Sequence, residues 1–481
     1  MQWKHTPKHT RIATLVVASM LLPTALPAMA TTDADLVELR GQIKLVKEGY
    51  EAKIRALEQR LQQLEAVANR PAPASVASAA AAPVETTPPP PLPAAGRAAG
   101  EGAFNPAISV VLNGAYGNFS KDPERYAISG FVPANNGVSP GTRGLSLRES
   151  ELALAANIDP NFRGNLLLSF DEGNQVSVEE AYFQSIGLGN GLSVKGGRFF
   201  SALGYQNEIH SHAWDFVDAP LVYRAFLSGE NYADDGVQLK WLLPSENLIE
   251  LGGEIGRGKD RPGSNRDKNG SAAGTLFAHY GGDIGDSHSY RLGLSALRTS
   301  PRGAPVNDID SQGTDVVNTF SGSTKIVAAD FVYKWAPNGT ARDTSLKLQG
   351  EYFRRRESGT LNFDTLGSAD AAARNIASGY STNQSGWYLQ GVYQFMPQWR
   401  AGLRFDRLDR GSVNVGVANL DNVRQVDYNP SRTSIMFDYS PSEFSRFRLQ
   451  FAQDKSRQNV TDNQLVLQYI FSLGAHGAHK F

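Results

Sequence analysis

From Phe104 onward, apolar and polar residues alternate along the chain with a period of two. Phe162, Leu166, Leu168 and Phe170 fall on one face of a run whose other face carries Arg163, Asn165 and Ser169. Val237, Leu239, Trp241 and Leu243 oppose Gln238 and Lys240, and Trp387, Leu389, Tyr393 and Phe395 oppose Tyr388, Gln390 and Gln394. The same alternation recurs with Trp399, Leu403 and Phe405 against Arg400 and Arg404, and with Phe447, Leu449 and Phe451 against Arg446 and Arg448. Each run predicts a β-strand with two different surroundings. About sixteen such runs fit between 104 and 481, with roughly 24 residues for each strand and its connection, enough for tilted membrane strands of about ten residues.

The connections alternate in length. Short turns are expected at 159–161, 244–246, 396–398 and 440–442, and long loops near 119–143, 201–235, 299–323, 357–385 and 409–431. Short turns on one rim and long loops on the other describe a transmembrane barrel with its short rim in the periplasm. A secreted β-sandwich or β-rich polysaccharide-binding protein also alternates, but its inward face is aliphatic and its polar face solvated. Here the apolar face carries Trp, Tyr and Phe near strand ends, and the opposite face carries Arg, Lys, Glu and Gln, as a water-filled lumen requires. The expected fold is all-β: a sixteen-stranded antiparallel transmembrane barrel over 104–481, preceded by a short coiled-coil helix, in the bacterial outer membrane.

Before position 104 the pattern changes twice. Lys4, Lys8 and Arg11 precede an apolar stretch from Ile12 to Leu22, and Ala28, Met29 and Ala30 follow, so 1–30 reads as a signal peptide. Over 31–69, Leu36, Leu39, Ile43, Val46 and Tyr50 recur at spacings of three and four. Ile54, Leu57, Leu61 and Leu64 continue this coiled-coil seam after a four-residue stutter. The seam predicts self-association without fixing the number of strands. The Ala/Pro-rich 70–103, with four consecutive prolines at 88–91, is an extended spacer.

Composition narrows the chemistry. The 481 residues are 41% hydrophobic with 47 Gly and no Cys, so disulfides, thiolate metal sites and thiol catalysis are excluded. A formal net charge of −1 provides no field for nucleic acid. The sequence has no G-x-S-x-G or H-E-x-x-H, so an enzyme is not expected, and no cofactor is implied.

Function then rests on the lumen. Arg163, Lys240, Lys347, Arg400, Arg404, Arg446 and Arg448 are inward-facing basic candidates, and Glu250, Glu254 and Glu351 are inward-facing acids. They either set a transverse field or pair with one another to keep the wall polar. The loop over 201–235 holds Tyr205, Glu208, His210, His212, Trp214, Asp215, Phe216, Tyr223 and Arg224, more aromatic surface than an exposed loop carries. It is expected to turn into the lumen as a constriction. His210 and His212, with Glu208 and Asp215 nearby, have ligand types suited to zinc, although two histidines in a polar loop commonly serve as hydrogen-bonding groups. His476 and His479 near the end carry the same two readings.

The helical seam, Ala/Pro stalk, strand series and the passage Lys195, Gly196, Gly197, Arg198, Phe199, Phe200 leading into this loop resemble the phosphate-selective porin O/P superfamily. Its coiled-coil-bearing, DcaP-like members are the most similar. The resemblance implies a homotrimer in outer-membrane lipid that passes small polar or anionic solutes, with Arg198 and the loop at the constriction. The near-neutral barrel departs from the arginine ladder of the phosphate-specific members. Residues 209–216 and the ending 472–481 also look like a branch labelled zinc-regulated or TonB-dependent, which implies a substrate-specific uptake protein as the alternative. A TonB-dependent transporter has about 22 strands and a plug, and this chain has too few residues for both.

Overall fold

The computed structural model describes residues 106–131, 138–173, 175–227, 229, 231–264, 268–369 and 374–474. The signal peptide, coiled coil and spacer, and the final 475–481, lie outside the described residues.

The chain runs through β1 (Ala107–Phe119), β2 (Gly144–Leu147), β3 (Ser150–Asn157), β4 (Phe162–Phe170), β5 (Val176–Ser185) and β6 (Leu192–Phe200). A short helix, α1 (Leu221–Phe226), precedes β7 (Ala233–Leu242), β8 (Leu248–Gly256), β9 (Ala273–Ile284), β10 (His288–Thr299), β11 (Ala304–Ile309) and β12 (Asp315–Trp335). Then come β13 (Ser345–Phe363), β14 (Ile376–Met396), β15 (Trp399–Val415), β16 (Ser431–Ser442), β17 (Ser445–Lys455) and β18 (Asp462–Gly474). All pairings are antiparallel, and β1 pairs with β18 from Ser109 opposite Gly474 to Phe119 opposite Gln464, so the sheet closes. β2 and β3 both lie against β1, and β10 and β11 both lie against β12, so each pair is one interrupted stave. The eighteen segments therefore form sixteen staves. Closure leaves the ladder no open edge, so its backbone N–H and C=O groups pair between neighbouring staves where hydrocarbon can supply no partner.

Side chains alternate between two environments. In β18, Leu465, Leu467 and Tyr469 are exposed on the outside, whereas Gln464, Val466 and Gln468 are buried inside. Trp241, Leu389 and Leu467, expected to face lipid, are 42%, 47% and 50% exposed, and Phe162 and Leu168 are half-buried on the same face. Aromatic pairs edge this apolar belt. Trp399 stacks on Tyr439 at 4.6 Å and Phe447 on Tyr469 at 4.4 Å near the turn-side rim, while Trp387 lies 5.6 Å from Phe405 further up.

Two of the expected long loops, 299–323 and 357–385, are largely strand, and a third, 409–431, is partly so. β11 pairs with the start of β12, leaving only 310–314 as a turn, and β13 with β14 leave only 364–375. β15 likewise reaches Val415. These extensions are rich in Ser, Thr, Asn and Gly, so backbone pairing continues after the apolar alternation has stopped. The turn expected at 440–442 is shifted, because β16 runs to Ser442 after a register break beyond Tyr439.

Replacing Leu389 by Arg, near the middle of the outer belt, is expected to destabilise the barrel by about 2–4 kcal/mol. Denaturant titration in lipid vesicles measures this, and an unchanged midpoint would show that the belt does not meet hydrocarbon.

Candidate functional site

The connection between β6 and β7 is held by many hydrogen bonds, both within itself and to the wall. Its two ends are joined by Asn207, whose Nδ2 donates to Ser201 O at 2.7 Å and whose Oδ1 accepts from Tyr232 N at 2.7 Å. Asn231 Nδ2 adds a bond to Asn207 O at 2.7 Å. Inside the loop, α1 is buried on every side, which explains why no helical periodicity marks it.

Three carboxylates and one amide oxygen on the barrel's inner face catch the loop's backbone N–H groups. Glu351 on β13 accepts from Tyr205 N at 3.0 Å and Gln206 N at 2.9 Å, and also from the hydroxyls of Tyr223 at 2.8 Å and Tyr388 at 2.6 Å. Gly204, with φ +76, makes this approach possible, since a Cβ there would stand 2.2 Å from Glu351 Oε2. Glu254 on β8 accepts from Ala202 N at 2.9 Å, Asp406 on β15 from Leu221 N at 2.9 Å, and Gln450 on β17 from Val217 N at 2.8 Å. The partners come from staves spread around the ring, all on the face opposite the apolar belt.

Two loop aspartates meet the basic wall. Asp215 bonds Lys347 Nζ at 3.0 Å and Arg400 Nη1 at 3.3 Å. Arg400 continues to Asp438, which also holds Arg448 at 2.8 Å and lies 3.9 Å from Arg446. Asp218 bonds Arg404 Nη2 at 2.7 Å and also Arg432, and Arg404 in turn bonds Asp406 at 3.0 Å. Burial opposes charge on both loop aspartates. Lys347 and Arg400 outweigh it at Asp215, and Arg432 and Arg404 at Asp218, holding both carboxyls well below the usual range.

The wall cations divide by exposure. The side chains of Lys347, Arg400 and Arg446 are each 24% exposed, whereas those of Arg404, Arg432 and Arg448 are each 1% exposed. Elsewhere inside, Lys240 and Glu250 pair at 2.9 Å, with His279 also 2.9 Å from Glu250, and Arg163 stands on β4 opposite Gln184. Arg224 on α1 is buried with its guanidinium 4.6 Å above the Tyr126 ring. Glu208 is half-buried in the first 3₁₀ turn of the loop.

Arg198 differs from expectation. It pairs with Asp235 at 2.6 Å, in register with the outward Val237, Leu239 and Trp241, so strand alternation puts it on the outer face. His210 and His212 also have partners other than those expected. His210 Nε2 lies 3.2 Å from Glu180 and His212 Nδ1 2.7 Å from Glu151, whereas Asp215 is taken by Lys347 and Arg400. Arg432, Asp438 and Asp406 were not singled out from the sequence. Arg432, Ser434, Met436 and Asp438 alternate inward along β16, so the period-two pattern held that signal.

A closed antiparallel barrel with an apolar outer belt and a charged interior is the architecture of bacterial outer-membrane β-barrels, and the outer membrane is where such a chain resides. No family model matches the sequence. The chain belongs to the same family as an uncharacterized protein of Aquifex aeolicus strain VF5, to which it is 30% identical over 406 residues, covering 79% of this chain and 80% of that one. Solved structures of similar shape include a loop L8 deletion mutant of OmpT, an outer membrane protein of Vibrio cholerae, at 10% identity and TM-score 0.48, covering 77% of this chain and 99% of that one. The outer membrane channel DcaP of Acinetobacter baumannii matches at 13% identity and TM-score 0.45, covering 77% and 97%.

Asp218→Asn leaves two buried guanidinium groups short of a counter-charge and is expected to destabilise the barrel by about 3 kcal/mol. Because the Asp218 carboxyl is depressed in the folded barrel, its contribution is complete above the unfolded aspartate pKa and is lost as pH falls below about 4. The stability difference between wild type and variant should therefore be constant from about pH 7 to 5 and shrink below about pH 4. Paired denaturant titrations measure it, and a difference that has already vanished at pH 6 would contradict the assignment.

Proposed function

We propose that the chain is a porin for passive diffusion of small polar solutes, with anions favoured, through a lumen narrowed by the loop between β6 and β7. The observation that carries this reading is the loop's attachment, by two aspartates and several backbone N–H groups, to inward side chains around the ring. Lys347, Arg400 and Arg446 are the partly exposed cations beside it, with Asp215 and Asp438 as their nearest counter-charges. Three cations and two anions at a narrow opening leave a positive excess. Charge at a narrow opening between low-dielectric walls acts on a passing ion more strongly than at a wide rim. Arg404 and Arg432 anchor the loop through Asp218, and Arg448 is buried against Asp438 of the wall.

We further read the mature protein as a homotrimer, with the 31–69 seam joining three chains.

Single-channel recording in planar bilayers tests the pore. Replacing 207–230 by a short Gly/Ser link should raise conductance, and unchanged conductance in a folded barrel would rule out the constriction. Arg400→Gln with Arg446→Gln should shift ion selectivity toward cations, while Lys347 still holds Asp215 and Arg448 still holds Asp438. Arg404→Gln should instead destabilise loop docking and raise conductance. Equal effects from the two kinds of change would refute the division between solute-facing and anchoring arginines.

A further inference from the structure

Where the loop meets the arc of β3 and β5, carboxylates and imidazoles gather in a way the solute path does not explain. Glu179 and Glu180 are consecutive, and consecutive residues of a regular strand point to opposite faces. Here a register break places Leu167 opposite Glu180 and Leu168 opposite Val178, so Glu179 is the extra residue of a β-bulge. Both carboxylates consequently reach the same histidine. His210 Nε2 is 3.2 Å from Glu180 Oε2, and its Nδ1 is 3.9 Å from Glu179 Oε2. Glu151 approaches from β3, and its carboxylate, that of Glu179 and a ring nitrogen of His210 lie within 4.8 Å of one another. His212 lies parallel to His210 at 5.9 Å and bonds Glu151. Ser211 bonds Glu149 at 3.1 Å, which adds a further carboxylate.

We propose that Glu151, Glu179 and His210 bind one divalent transition-metal ion of the zinc type. Two observations point to a ligand. Glu179 Oε2 and His210 Nδ1 are both buried and both without a hydrogen-bond partner among the described residues. With Nε2–H directed at Glu180, loss of the Nδ1 proton on loading would turn the Nδ1 lone pair toward the ion, in place of the 3.9 Å ion pair with Glu179. That is how a carboxylate orients a metal-binding histidine by fixing its tautomer. The ring is also held on its face by Phe200, 5.0 Å away. Tetrahedral ligands about 2.1 Å from zinc stand about 3.4 Å apart, so the three groups close by roughly an ångström on loading. One imidazole with two carboxylates suits zinc, cobalt or nickel, whereas calcium and magnesium prefer oxygen alone. The ion also offsets the repulsion among Glu149, Glu151, Glu179 and Glu180.

The test uses the full mature chain, without an affinity tag, in detergent micelles. Equilibrium dialysis against micromolar Zn²⁺, with bound metal measured by mass spectrometry, should give one ion per chain that excess Ca²⁺ does not displace. Glu179→Gln and His210→Ala should each weaken binding by about tenfold or more, while a variant with His476→Ala and His479→Ala keeps it. Glu179→Gln changes a single atom at constant volume, so it remains informative if the histidine variant does not fold. Absence of zinc from the wild type overturns the proposal. Wild-type affinity in folded Glu179→Gln barrels does the same, as does loss of binding with the two terminal histidines.

Discussion

Everything in this molecule depends on the ladder between β1 and β18. A sheet that spans hydrocarbon has no solvent for its edges, so the first and last strands must find one another across more than 340 residues of chain. Once the ring closes, each residue belongs to one of two solvents. The outside takes Leu, Phe, Trp and Tyr, and the inside receives most of the remaining polar residues. The chain's modest hydrophobic content follows from this division, because only one face of each stave needs to be apolar.

An interior built of charged side chains then raises its own problem. Arg355, Arg404, Arg432 and Arg448 are among the largest fully buried side chains, and an unpaired buried charge is strongly destabilising. Much of the solution comes from the loop. Asp218 supplies the counter-charge for two arginines from different staves, and the carbonyl of Ala225 accepts from Arg355 at 3.2 Å. In return Glu351, Glu254 and Asp406 satisfy N–H groups that the irregular loop backbone leaves unpaired. Loop and wall are mutually dependent, because each supplies partners for polar groups that the other buries. Leu203, Leu221, Val222 and Phe226 add an apolar cluster with Phe353 and Leu408 of the wall, and this excludes water from the bonds around it.

The legible part of this design was the part with a period. Trp241, Leu389 and Leu467 identified the outer belt because alternation is local information, and Lys347, Arg400 and Arg448 fell inward by the same rule. The face of Arg198 is set by its parity with Asp235, Val237 and Trp241, which the glycine-containing motif around it does not convey. The strand extensions of β12 to β14 were missed because outside hydrocarbon both faces are polar and the alternation disappears. The partners of the loop were beyond reach for a different reason. That Asp215 meets Lys347 and His212 meets Glu151 depends on how a chain crosses the ring, with separations of 132 and 61 residues.

The ring itself is not uniform, and its irregularities are local. β12 and β13 pair from Thr319 opposite Asn362 to Trp335 opposite Leu346 with no register break, whereas β5 and β6 share only four residue pairs, from Ala181 with Arg198 to Gln184 with Lys195. On the short-paired arc the second stave is broken at 148–149, Glu179 bulges, and Gly197 adopts φ +129, where a Cβ would meet Ala181 O at 2.2 Å. A regular strand can present a ladder of one charge type but cannot aim two successive side chains at one point. β13, β15 and β17 carry Lys347, Arg400 and Arg446, a spaced row suited to a diffusing ion. The irregular arc carries Glu151, Glu179 and Glu180 converging on two histidines, an arrangement suited to holding an ion still. The bulge at Glu179 forgoes regular backbone pairing, and the convergence of Glu151, Glu179 and Glu180 on the loop histidines offsets that loss.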